Sequence, residues 1–247
     1  ADVDGDGKPE LLLPQKNFVR AVVLEKQTDL LTTNQSPWVF RVKDQINGAA
    51  SDSLIVGAVS VPNGTNATPS VFLLDAAHKQ LTLCERDASG VWQVIRNVEL
   101  PVSDFGSLQS VAFGSAGGRS LTFFGQNAVA WMPLAGDVWD FDTLDGYDTP
   151  IKNGYLNDVT AGDLDQSGSK QLIFLETAKN YLDIVNFDKR HKLVPAIRWQ
   201  VFEQHTFRAA TSALPEPREA LVADVTGDGK NDLVVVVHDR ILVYRQQ

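Results

Sequence analysis

Three short stretches of the chain set acidic or polar side-chain oxygens at alternate positions around a glycine and then run into an apolar segment. Loop 1 is Asp2-Val3-Asp4-Gly5-Asp6-Gly7-Lys8-Pro9-Glu10, followed by Leu11-Leu12-Leu13. Loop 2 is Asp163-Leu164-Asp165-Gln166-Ser167-Gly168-Ser169-Lys170-Gln171, followed by Leu172-Ile173-Phe174. Loop 3 is Asp224-Val225-Thr226-Gly227-Asp228-Gly229-Lys230-Asn231-Asp232, followed by Leu233-Val234-Val235. A hard cation such as Ca²⁺ needs several oxygens converging from one tight turn, and glycine lets the backbone make that turn. The pattern points to an architecture more than to an activity.

The surrounding chain must position such turns. At 247 residues and 43% apolar, it can bury a large core as one all-β or barrel-like domain or as two smaller ones. A net charge of −9 argues against nucleic acid and anionic membranes as partners, because the long-range field repels phosphates. The lone cysteine, Cys84, excludes an internal disulfide framework and sits in an apolar alternation that predicts a core position. No run reaches the length of a membrane span, so direct insertion is not expected, and any leader is expected upstream of Ala1, which abuts a motif.

An apolar strand, a short polar turn and a second alternating strand recur five times: Glu10 to Leu13 with Val19 to Leu24, Val71 to Leu74 with Leu81 to Cys84, and Leu121 to Phe124 with Val129 to Met132, then Leu172 to Leu175 with Leu182 to Val185, and Leu233 to Val237 with Ile241 to Tyr244. The markers Leu11, Val71, Leu121, Leu172 and Leu233 are spaced by 60, 50, 51 and 61 residues, room for one four-stranded unit each. Trp38, Trp92, Trp139 and Trp199 each follow a hairpin within an aromatic, β-branched alternation and predict a fourth, outer strand. Leu54 to Val61, Leu108 to Phe113 and Leu221 to Val225 precede hairpins and predict first, inner strands.

The expected fold is therefore all-β, a β-propeller of four-stranded antiparallel blades, because a radial array hides the edges of many short strands. The blade repeats run roughly over 1–48, 49–102, 103–152, 153–212 and 213–247, with the first and last incomplete. That phase leads us to expect either a single propeller domain or the C-terminal portion of a larger one.

The Asp-x-Asp-Gly-Asp-Gly-x-x-(Asp/Glu)-Leu loop at the head of a hairpin resembles the FG-GAP or VCBS repeat of integrin-α-like propellers. The likeness of the loop is strongest at 2–11 and 224–233, weaker at 163–172, and missing from the blades marked by Val71 and Leu121. It implies Ca²⁺ held by side chains at loop positions one, three, five and nine and by the carbonyl at position seven. Carried over, the ligands are Asp2, Asp4, Asp6, Glu10 and the Lys8 carbonyl in loop 1, and Asp224, Thr226, Asp228, Asp232 and the Lys230 carbonyl in loop 3. Loop 2 would use Asp163, Asp165, Ser167, Gln171 and the Ser169 carbonyl. Two to three structural calcium ions follow, with loop 2 the weakest because Gln171 replaces an acid and ligand charge tunes affinity. An EF-hand fails on register, since its position twelve here is Leu13, Phe174 or Val235 rather than glutamate. The other reading of these residues is solvated Asp-Gly turns without an ion.

For catalysis the sequence offers little. His78, His191, His205 and His238 form no metal-binding or base pairs at recognisable spacing, and neither a nucleophile elbow nor a phosphate-cradling glycine loop occurs. The cluster Asp137, Asp140, Asp142, Asp145 and Asp148 alternates with Trp139 and Phe141 and reads as a solvated strand end and loop. The leading expectation is a calcium-stabilised, non-catalytic recognition or adhesion propeller whose face loops bind a protein or carbohydrate ligand. The alternatives are a secreted polysaccharide-active, lyase-like enzyme on the same scaffold and a structural module of a larger surface protein. Modest-affinity calcium loops suit an extracytoplasmic setting: secreted, periplasmic or cell-surface.

Overall fold

In a computed structural model, residues 2–26, 37–61, 68–100, 107–113, 118–124, 128–135, 138–139, 145–187, 192–202 and 215–246 are described. His191, His205, Asp137, Asp140 and Asp142 lie outside them. Every regular element among the described residues is a strand, and every pairing is antiparallel.

The strands form five sheets. The first runs β1 (Leu11–Pro14), β2 (Phe18–Lys26), β3 (Trp38–Asn47), and the second β4 (Ile55–Val61), β5 (Ser70–Asp75), β6 (Gln80–Arg86), β7 (Trp92–Glu99). The third contains β8 (Ser107–Phe113), β9 (Gly118–Phe124), β10 (Ala128–Ala135), β11 (Val138–Trp139) and β12 (Asp145–Asp148). The fourth runs β13 (Leu156–Gly162), β14 (Gln171–Glu176), β15 (Tyr181–Phe187), β16 (Leu193–Gln200), and the fifth β17 (Glu219–Ala223), β18 (Asp232–Val237), β19 (Arg240–Tyr244). All five predicted hairpins are present, and Trp38, Trp92, Trp139 and Trp199 fall on β3, β7, β11 and β16, at the outer edges of their sheets.

Two details differ from the sequence expectation. The third sheet carries its outer strand in two pieces, β11 pairing with Leu134 and Ala135 of β10, and β12 with the segment from Ala128 to Trp131. Asp145 and Asp148 are the two ends of β12, the strand-end part of what the sequence suggested for the aspartate cluster. The inner strand β13 was not singled out in the sequence, because Asn157, Asp158 and Thr160 dilute its apolar signal.

Burial explains why the first strand of the hairpin in the second and fourth sheets gave the strongest signal. β5 and β14 are buried at all six positions, so both faces are covered and the sequence runs apolar without alternation. Each Leu, Ile, Val or Phe so buried contributes about 1.5–3 kcal/mol. β14 sorts its side chains between two cores: Leu172 and Phe174 join Phe124, Trp131, Tyr147 and Val185, while Ile173 and Leu175 join Leu182, Leu233, Val235 and Val237. β7 and β16, at the outer edge, are largely exposed.

By compactness the chain divides into residues 1–110 and 111–247. In the first unit, Val19, Ala21 and Ile46 of the first sheet pack on Ile55, Val71, Leu73 and Cys84 of the second. Burial pushes the Cys84 thiol up to about 12, so it is an inert core residue, as the sequence suggested. Asp44 of β3 accepts from the Trp92 indole at 2.7 Å and pairs with Arg86, tying those sheets at their outer rim.

In the second unit the equivalent tie is buried. Asp183 of β15 accepts from the Tyr147 hydroxyl at 2.7 Å and from the Arg198 guanidinium at 2.9 Å. Burial first, and then the Asp183 carboxylate, raise the Tyr147 phenol above its ordinary range. Inner strands meet through glycine. A Cβ on Gly162 would lie 2.2 Å from a Val222 methyl on β17, so β13 and β17 approach closely only because that atom is missing.

Candidate metal centre

The three loops share one hydrogen-bond skeleton, although their side chains differ. The aspartate at position one turns back over the loop and accepts backbone N–H groups. Asp2 takes Gly5 and Gly7 at 2.7 and 2.8 Å, Asp163 takes Ser167 and Gly168 at 3.0 and 2.9 Å, and Asp224 takes Gly227 and Gly229 at 2.6 and 2.9 Å. Position nine closes the loop from the other side through the N–H of position two. Glu10 accepts from Val3 at 2.8 Å, Gln171 from Leu164 at 2.7 Å, and Asp232 from Val225 at 3.1 Å. Positions four and six adopt positive φ: Gly5 and Gly7 at 80° and 81°, Gly227 and Gly229 at 75° and 82°, Gln166 and Gly168 at 55° and 81°. Glycine at position six is required by this conformation, and loop 2 tolerates a side chain at position four.

On that common frame, loop 1 is the one that gathers its acids. Carboxylate oxygens of Asp2, Asp4 and Glu10 lie within 4.8 Å of one another, the only such group of three or more metal-ligating acids, histidines or cysteines among the described residues. Hard oxygens converging on a glycine turn are the donor set a hard divalent cation requires, so the residues present fit Ca²⁺. Asp6, the fourth predicted carboxylate, faces Lys43 of β3, a residue the sequence gave no reason to associate with the loop. The Lys43 ammonium lies 2.9 Å from Asp4 Oδ2 and also pairs with Asp6. Hydrogen bonding to Asp6 and then Asp4 holds Lys43 above the ordinary lysine range, and the same contact lowers Asp6. Only folding, which pairs β2 with β3, brings this cation to a loop some forty residues earlier.

Loop 3 keeps the skeleton with its acids less gathered. Asp232 has one methylene fewer than Glu10, and its Oδ2 is shared among the Val225 and Thr226 amides and the Thr226 hydroxyl, at 3.0–3.1 Å. Asp228 accepts from the Lys230 amide at 2.9 Å, just as Asp6 accepts from Lys8 at 2.8 Å. Loop 2 has carboxylates only at Asp163 and Asp165, and Ser167, Ser169 and Gln171 complete its ring. Loops 2 and 3 touch directly, Asn231 donating to the Asp163 carbonyl at 3.0 Å and Gln166 to the Gly229 carbonyl at 3.3 Å.

The histidine with acidic partners serves the fold. His78 Nδ1 lies 2.8 Å from Asp75, whose Oδ1 also accepts from the Leu54 and Ala77 amides. Glu176 does the same in the fourth sheet, accepting from Tyr155, Ala178 and Lys179. Both acids pin a hairpin turn to the segment before the inner strand, a role read only from the structure. Burial opposes ionisation of Asp75, but hydrogen bonds from Ser53, Leu54 and His78 prevail and lower it to about 2.

Comparison with known proteins agrees with this architecture. No family model matches the sequence, and no curated protein matches it significantly. Among solved structures, a protein from Lactobacillus plantarum superposes with a TM-score of 0.57 at 12% identity, over 97% of this chain and 67% of that one. BBS1N, solved in complex with ARL6DN and soaked with lead, superposes with a TM-score of 0.52 at 8% identity, over 99% of this chain and 77% of that one. The chain is an all-β protein of the β-propeller class, built from antiparallel sheets of up to four strands across, each containing one of the five hairpins.

Proposed function

We propose that loops 1 and 3 are calcium-binding turns of the FG-GAP or VCBS kind, and that the chain is a calcium-stabilised, non-catalytic recognition propeller. Its face loops would bind a protein or carbohydrate ligand in an extracytoplasmic setting. The observation that carries the metal reading is the convergence of Asp2, Asp4 and Glu10 within 4.8 Å. The shared skeleton of loop 3 extends it to Asp224, Thr226, Asp228 and Asp232. In loop 1 the side chains of Asp2, Asp4, Asp6 and Glu10 and the Lys8 carbonyl would hold the ion. In loop 3 the Lys230 carbonyl takes the corresponding place. The ion would be structural, neutralising carboxylates that otherwise repel one another beside an inner hairpin.

The recognition reading rests on how the described acids are employed. Asp75, the acid paired with His78, is occupied in holding a hairpin, and each proposed ligand set comes from a single loop. Millimolar Ca²⁺ should raise the melting temperature over that in chelator, and Asp4→Asn should remove part of the gain. Identical melting curves with and without Ca²⁺ would sink the metal reading. A glycan array and pull-downs from surface extracts test the ligand class, while release of product from acidic polysaccharides would instead favour the lyase-like enzyme.

A further inference from the structure

Loop 2 keeps the backbone path of a metal-binding turn but not its interior. The Leu164 N–H has one acceptor, Gln171 Oε1, at 2.7 Å. A backbone N–H can only donate, so this contact fixes which way the amide points. The Gln171 Nε2 group must then face the centre of the loop, where it donates to Asp165 Oδ1 at 2.9 Å and to the Ser169 carbonyl at 3.2 Å. Those are two of the oxygens that an ion would need. In loop 1 the same position holds Glu10, whose Oε2 accepts the Val3 N–H and whose carboxylate has only oxygens to turn inward.

We infer that loop 2 is an ion-independent turn, in which the side-chain amide of Gln171 occupies the cation's place and bridges the oxygens that calcium bridges in loops 1 and 3. The comparison with loops 1 and 3 rests on the calcium reading given above. An amide nitrogen has no lone pair to offer a hard cation, and rotating it outward would aim Nε2 at the Leu164 N–H, donor against donor. The remaining interior is already satisfied. Asp163 is engaged by the Ser167 and Gly168 amides, and the Ser167 hydroxyl lies 3.5 Å from the Ser169 carbonyl. Asp165 Oδ1 accepts from the Ser167 amide at 3.1 Å as well as from Gln171, so its carboxylate has protein donors where an ion would otherwise sit. The loop is also braced from outside, since Asn231 and Gln166 link it to loop 3. Loop 2 thus gives its neighbour a preformed wall that does not melt when calcium is withdrawn.

The test uses the full chain with Ca²⁺ and Tb³⁺ as probes, read by calorimetric stoichiometry and by melting in chelator. Asp165→Asn should leave the number of ions bound by the otherwise unaltered protein unchanged. Gln171→Glu should add one equivalent, lower the melting temperature in chelator by bringing a third carboxylate into the loop beside Asp165 and Asp163, and recover it in Ca²⁺. Loss of one equivalent in Asp165→Asn, or no gained equivalent in Gln171→Glu, would overturn the inference. A parent protein that binds no ion while Gln171→Glu binds one would refute the calcium reading of loops 1 and 3 and leave the Gln171 assignment standing.

Discussion

Gly162→Ala is the sharpest probe of how the inner strands are held. A methyl placed there meets Val222 Cγ1 at 2.2 Å, Cβ at 2.3 Å and Cγ2 at 2.7 Å, the first two more than 1 Å inside the 3.4 Å where ordinary contact begins. Rotating Val222 moves its two methyls but not its Cβ, so the clash is between two atoms fixed to backbone and the strands must separate. Overpacking of a core ordinarily costs about 1–3 kcal/mol, and a backbone-to-backbone clash belongs at or above the top of that range. At roughly 2–4 °C per kcal/mol for a chain of this size, the melting temperature should fall by about 6–12 °C.

Two double variants refine the prediction. Val222→Ala leaves the 2.3 Å pair in place and should not rescue Gly162→Ala, whereas Val222→Gly removes it and should recover part of the loss through non-additive coupling. Gly57→Ala offers a graded control, since its nearest neighbour is Leu108 at 3.0 Å, and it should cost less. Denaturant unfolding of the set reads all of this. A Gly162→Ala protein within about 0.5 kcal/mol of the parent would refute the claimed approach of β13 and β17.

Three further outcomes are expected. Asp183→Ala strands the Tyr147 hydroxyl and part of the Arg198 charge in a buried site, and unfolding in urea should show a loss of about 2–4 kcal/mol. Lys43→Met removes the ammonium that competes at Asp4 and Asp6, so Tb³⁺ luminescence should reach half-saturation at a roughly 2–5-fold lower concentration, the worth of exposed ion pairs; an unchanged midpoint would show that Lys43 and the ion do not share the loop. Asp75 has a folded value lowered to about 2 from 3.8, so the unfolded chain takes up the proton first as pH falls. Its contribution is complete above the unfolded value and fades through the window between the two, and Asp75→Asn should flatten the fall in urea midpoint between pH 4 and pH 2.

The parts of the fold legible in the sequence are those in which one residue's neighbours along the chain decide its environment. The five hairpins announced themselves because β5 and β14 are covered on both faces and β2, β10 and β19 return after short turns. The loops were legible for the same reason, since each ligand set, and the glycines at positive φ, fall within nine residues. β13 was obscured by its polar residues, which do not report the partner strands on either side. The split of the third sheet's outer strand into β11 and β12 was hidden because the aspartates there resemble a loop.

By itself the sequence determined an all-β repeat with three oxygen-rich turns, because hydrophobic periodicity and turn chemistry act over a few residues. Tertiary structure alone decided what each turn contains. Lys43 reaches loop 1 from β3, Asn231 of loop 3 reaches loop 2, and the Gln171 amide is oriented by a backbone N–H that only the closed turn presents. Electrostatic and hydrogen-bond partners are set by distance in space, and strand pairing, rather than spacing along the chain, fixes those distances.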